Sequence, residues 1–148
     1  MGIDVTAETT IAAPRHEVAT YAMDHRNDPV WIGAVSESEL LGEPPIVEGS
    51  RVRRAASFLG KRIEYVNEVE RLELGSLMVM RSVRGPFPMR VTYGFEDDGG
   101  GGTRTRVRVE GDAKPAYRLA EPLMARAVKR AIWADVRRLK SELERPHH

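Results

Sequence analysis

Hydrophobic and polar positions alternate over residues 3–12, with Ile3, Val5, Ala7, Thr9 and Ile11 on one face, which predicts a strand. Pro14 then opens a short helix over residues 14–23, in the first-turn position that proline favours, with Val18, Tyr21 and Ala22 inward. Asp28-Pro29 reads as an N-cap followed by proline and predicts a second short helix running through Trp31 to Val35. Period-two patterning returns over residues 37–42, 51–59, 62–72, 77–83, 87–95 and 103–110. Gly60-Lys61 reads as a hairpin turn, and residues 97–102 as a longer glycine-rich one. Connections this short join antiparallel neighbours.

Beyond Gly111 the period changes. Ala125, Val128, Ile132, Val136, Leu139 and Leu143 recur at helical spacing and draw one stripe along a helix over residues 115–144. Its interior breaker is Pro122, which predicts a bend there and a segment 115–121 free to swing as a lid. The order is strand, two short helices, six strands, long helix. That is an α+β fold in which seven twisted antiparallel strands curl and the terminal helix plugs the concave side.

Composition narrows the chemistry. The 148 residues suit one domain over 1–145 with a tail at 146–148, whose His147 and His148 receive no role. A net charge of +1 argues against a polyanion binder, and no nucleic-acid partner is expected. The absence of cysteine removes disulfides, thiolate metal sites and cysteine nucleophiles, and fits a cytoplasmic setting. The polar start is no signal peptide, and no apolar run is long enough for an integral membrane span. Only His16 and His25 lie in the body of the chain, so no metal site is expected, and no cofactor. Gly99–Gly102 precedes a strand and lacks a following lysine, so it is not a phosphate loop. No serine sits in a nucleophile elbow.

Several features together resemble the START-like (SRPBCC) superfamily and its polyketide cyclase/dehydrase group. They are the strand leading into Ala13-Pro14 and a short helix, Asp24 followed by Trp31, and Gly49-Ser50-Arg51-Val52 at a strand start. Gly102-Thr103-Arg104 entering the last strand and a terminal helix ending in Leu139 and Leu143 complete the set. The resemblance implies a helix-grip fold holding a hydrophobic small molecule between helix and sheet. In such proteins that molecule is only sometimes a substrate.

Alternation marks the residues that face such a cavity. Phe87, Met89, Val91 and Tyr93 share one strand face, as do Tyr65 and Asn67 with Ile63 and Val69. Trp31, Phe58, Met124 and Val128 complete the expected lining. Asn67, Tyr65 and Tyr93 are its polar candidates, because a buried amide or phenol needs a partner. On residues 76–84 either Leu77, Val79, Arg81 and Val83 or Met78, Met80 and Ser82 face inward. Arg81 is the choice here, placed to meet a carboxylate or enolate.

The arginine row Arg104, Arg106, Arg108 and the glutamates Glu64, Glu68, Glu70 read as the solvent face of the sheet. The cluster from Asp24 to Asp28 reads as a solvated turn with a helix cap. The basic residues of the long helix, Arg126, Lys129, Arg130, Arg137, Arg138 and Lys140 among them, read as its solvent side. The expected function is binding of a lipid, quinone or polyketide-like molecule by a monomer or homodimer. The alternatives are a polyketide cyclase, aromatase or dehydratase, and a co-chaperone-like interaction module.

Overall fold

The computed structural model describes residues 2–112 and 119–145. Seven strands form one antiparallel sheet: β1 Ile3–Ile11, β2 Val35–Leu41, β3 Arg51–Phe58, β4 Lys61–Glu73, β5 Leu77–Arg84, β6 Met89–Asp97 and β7 Thr103–Gly111. Their spatial order is β1-β7-β6-β5-β4-β3-β2, so β2 to β7 form a meander and β1 pairs with the last strand. Between β1 and β2 the chain crosses one end of the sheet through α1 Arg15–Ala22, a 3-10 turn His25–Asn27 and α2 Asp28–Trp31. The terminal helix, α3 Glu121–Leu143, packs against β1, β7 and α2.

Local chemistry explains where these elements stop. The turn between β3 and β4 is Leu59-Gly60, one residue earlier than expected, with φ of 50° and 80°. Two positive φ values in succession match the type I′ turn whose twist suits a two-residue hairpin. The second short helix ends at Trp31 rather than Val35, because Ile32 is extended and Val35 already belongs to β2. Pro122 occupies the first turn of α3, where its missing N–H costs nothing, so it starts the helix and does not kink it. The lid expected at 115–121 lies largely in 113–118, outside the described residues, and Glu121 is already helical.

The concave face carries the core. Ala7, Ile11, Val52, Val69, Met80, Phe95 and Val107 point inward from the strands and meet Ile132, Val136 and Leu139 of α3. Full burial of each such aliphatic or aromatic side chain is worth about 1.5–3 kcal/mol. The convex face is a lattice of ion pairs, including Arg108 with Asp4 at 2.7 Å, Arg90 with Glu70 at 2.8 Å and Arg53 with Glu64 at 2.8 Å. These pairs are solvent-exposed, so each contributes about 1 kcal/mol at most.

Leu139 is fully buried, whereas Leu123 on the same helix is 61% exposed. Leu139→Ala should lower the unfolding free energy in urea by about 2–5 kcal/mol, and Leu123→Ala by less than about 0.5 kcal/mol.

Candidate functional site

Three elements bring charged and polar side chains into the concave interior. Arg54 lies on the inward face of β3 between Val52 and Ala56, and only 3% of it is exposed. Asp28, 1% exposed, enters from the first turn of α2. Its Oδ2 accepts from Arg54 Nε at 3.1 Å and pairs with Arg54 Nη2 at 2.9 Å. The Ser38 hydroxyl donates to the same oxygen at 2.7 Å. Arg54 Nη1 donates to the Tyr93 hydroxyl at 3.2 Å, and Nη2 lies 3.8 Å from the Met80 sulfur.

An unpaired charge in this interior would cost several kcal/mol, so each ion depends on the other. Burial pushes the Arg54 guanidinium down, but Asp28 and the two tyrosines Tyr93 and Tyr65 outweigh it and hold the group well above its ordinary value. Burial pushes the Tyr93 phenol up to about 12, against the pull of Arg54.

Beside this group is a cavity of about 150 Å³ between the inner sheet face and α3. Phe58, Tyr65, Phe87, Met89, Val91, Met124 and Val128 supply most of its apolar wall. Phe58 and Phe87 meet edge to face at 6.4 Å, and Trp31 meets Tyr93 edge to face at 5.8 Å. The polar part of the lining holds donors on Arg54 and Tyr93 and an acceptor carboxyl on Asp135. Trp31 Nε1 is buried and has no acceptor among the described residues. Three of the five N–H groups on Arg54 donate, to Asp28, Met80 and Tyr93, so the guanidinium has more donors than these bonds use. Tyr93 accepts from Arg54 and keeps its own proton to give.

From α3 comes Asp135, 5% exposed, which also lines the cavity. Its Oδ1 accepts from the Gly33 backbone at 3.0 Å and from Arg138 Nη2 at 2.6 Å. Arg138 Nε reaches the Trp31 carbonyl at 3.1 Å, so the pair fastens the α2–β2 link to the helix. Burial pushes the Asp135 carboxyl above its ordinary value despite these donors.

The structure places Trp31, Phe58, Tyr65, Phe87, Met89, Val91, Tyr93, Met124 and Val128 around this cavity. Phe87 does so from the link before β6 and not from the strand itself. Asn67 faces inward and is buried, but it stands opposite Val52, outside the cavity lining. Arg81 is corrected. It lies on the convex face, exposed, opposite Glu68 in the ladder and 3.5 Å from its carboxylate. Met78 and Met80 are the inward pair of β5.

Arg54, Asp28 and Asp135 are not among the residues that the sequence points to. Arg54 shares its face with Val52, Ala56 and Phe58, which is the signal that could have found it. Asp28 has the sequence context of an N-cap, yet it makes no cap and is turned inward.

A larger groove, about 1170 Å³, lies at the opposite end of the sheet against α1 and the β2–β3 loop. Asp24, His25 and Arg26 line it, but so do the exposed His16, Glu39, Gly42, Pro44 and Leu74. Asp24 there caps the 3-10 turn and chelates Arg26, as a solvated turn should. Volume alone therefore ranks the two wrongly. The smaller cavity is apolar, with a few convergent polar groups, and it is the better candidate.

Because the folded Asp135 holds its proton more tightly than the unfolded chain does, stability should fall as pH rises through the raised value and then level off. Asp135→Asn has no such proton to lose. The difference in Tm between Asp135→Asn and the parent should therefore grow in favour of the variant between about pH 3 and 7, as read by thermal melts across that range. A constant difference would remove the role given to burial.

The profile of a family described as polyketide cyclase / dehydrase and lipid transport matches residues 2–144. No curated protein matches the sequence. Among solved structures, the Zhui aromatase/cyclase from Streptomyces sp. R1128 superposes with a TM-score of 0.83 at 17% identity, over 98% of this chain and 95% of that one. A protein from Thermus thermophilus gives 0.82 at 22% identity, over 95% and 96%. A START superfamily protein from Mycobacterium smegmatis gives 0.82 at 14% identity, over 95% and 97%. At these identities the structures establish a shared helix-grip fold, and the sequence profile carries the assignment: the chain belongs to the polyketide cyclase / dehydrase and lipid transport family.

Proposed function

We propose that this protein binds a small hydrophobic molecule carrying an acceptor oxygen, a carbonyl or its enolate, with that oxygen against Arg54 and Tyr93. The carrying observation is the hydrogen-bonded Arg54–Tyr93 pair in the lining of an otherwise apolar cavity. A ligand oxygen suits the Arg54 and Tyr93 donors, and the Asp135 carboxyl in the same lining can take a ligand N–H or O–H as well. Size narrows the class. At about 150 Å³ the cavity is about half the lower limit of ordinary ligand pockets and near the scale that holds one aromatic ring. A single-ring or short acyl molecule suits it. A multi-ring polyketide requires α3 to move away from the sheet.

A second reading, cyclisation or dehydration of a bound poly-ketone, is favoured by Asp135. A carboxyl with a raised proton affinity lines the same cavity as the groups that would polarise a carbonyl. In that reading Asp135 removes a proton beside the carbonyl while Arg54 and Tyr93 stabilise the enolate.

Acetophenone and ethylbenzene share a shape and differ in the oxygen. Calorimetric titration should show acetophenone binding roughly 5–10-fold tighter, the worth of one hydrogen bond. Tyr93→Phe should remove most of that preference while leaving ethylbenzene unchanged. Equal binding of the two by the parent protein would sink the carbonyl assignment. For the catalytic reading, Asp135→Asn should cut turnover of a linear poly-β-ketone thioester about 100-fold or more, and full retention of turnover would eliminate it.

A further inference from the structure

The cations of this protein divide by whether they have a partner. On the strands every described arginine except Arg84 is tied to a carboxylate, most of them across the sheet, as with Arg51, Arg53, Arg62, Arg81, Arg90 and Arg104. On α3, Arg138 and Lys140 are tied to Asp135 and Glu144. Among the described residues, Lys61, Arg84, Arg126, Lys129, Arg130 and Arg137 have no ion pair.

These six are not scattered. Lys61 sits at the β3–β4 tip and Arg84 at the end of β5, the end of the sheet where α3 begins. The other four lie on α3. Leu123, Arg126, Arg130 and Arg137 follow at intervals of three, four and seven, which puts them on one face, opposite the buried Met124, Ile132, Val136 and Leu139, and Leu119 lies just before the helix. No acidic residue falls on that face before Glu144.

The apolar members are conspicuous by exposure. Leu119 is 101% exposed, Leu123 61% and Leu59, at the β3–β4 tip, 55%. The tip and the start of α3 are joined through Phe58, Phe87, Ala120 and Met124, which pack together, so the three leucines share one end of the molecule. The cavity lining reaches the surface at this same end, at Pro88 and Asp112. A single exposed leucine needs no explanation. Three beside a set of unpaired cations make an amphipathic surface of the kind that lies on lipid headgroups.

We propose that this end of the protein, with the outer face of α3, docks on an anionic lipid surface. Leu59, Leu119 and Leu123 enter the headgroup boundary and the unpaired arginines and lysines meet lipid phosphates. Lipid is favoured over a protein partner because the leucines stand proud and separate. A fluid interface accommodates them without a complementary pocket. The docking does not depend on what the cavity holds.

The test is flotation of the full chain with vesicles of phosphatidylcholine alone and of phosphatidylcholine with about a third phosphatidylglycerol. Binding should require phosphatidylglycerol and weaken with salt, because surface charge attraction is screened within a Debye length. Arg126→Glu/Arg130→Glu should lower the partition coefficient at least about tenfold. Leu119→Ser/Leu123→Ser, with charge unchanged, should lower it several-fold. Arg104→Glu/Arg106→Glu on the convex face alters net charge equally and should lower it much less. Thermal melts verify that each variant is folded. Failure of the parent to float with phosphatidylglycerol vesicles overturns the proposal. So does equal binding by the leucine variant, or an equal loss in the convex-face control. Charge dependence without leucine dependence assigns the surface to an acidic protein instead.

Discussion

Asp28 and Arg54 are both out of water, and neither tolerates the loss of the other. Through Asp28 the pair holds α2 beneath the sheet, and with α2 it holds Trp31, the largest fully buried side chain. Through Arg54 it orients the Tyr93 hydroxyl, and Tyr93 in turn meets the Trp31 ring. An apolar substitute of the same volume would often be no less stable, because desolvation consumes most of what the ion pair gains. Its presence in a fold that otherwise fills its concave face with aliphatic and aromatic side chains is best understood through the cavity, whose polarity it sets.

The architecture is readable because two periods carry it. Alternation locates every strand to within a few residues, and the stripe on α3 names Ile132, Val136 and Leu139 without coordinates. The same alternation places Tyr65, Val91 and Tyr93 on the concave side. What it does not supply is charge. Arg54 stands on an inward face by the same count that places Val52 and Ala56 there, yet arginine on a strand is ordinarily a solvent residue. The compensating acid lies 26 positions earlier, on another element. Asp28 is equally concealed, because Asp-Pro is the common signature of a helix start.

Arg81 shows a different limit. Both faces of its strand fit the periodicity, and the register decides between them. Once β4 and β5 are paired, Glu68 stands opposite Arg81 and draws it to the convex side, leaving Met78 and Met80 to the core. Cross-strand partners are information that a single strand does not contain. Pro122 is a third case. Its effect depends wholly on whether it lies in the first turn of a helix or beyond it, and a boundary error of a few residues turns a start signal into a kink.

The anchoring of α3 is lopsided. Near its C-terminus Val136 and Leu139 are fully buried, Lys140 donates to the Thr10 carbonyl, and Glu144 accepts from the Ala12 backbone. Near its start the burial rests on Met124 and a small cluster. Among the described residues, the C-terminal half of the helix is therefore held by more contacts than its start. From Leu139 to Met124 the lever arm is roughly 22 Å, so a tilt of about 5° about Leu139 would displace Met124 by about 2 Å. A change of angle that small would be enough to alter the space beside Arg54, because Met124 and Val128 form its helix wall.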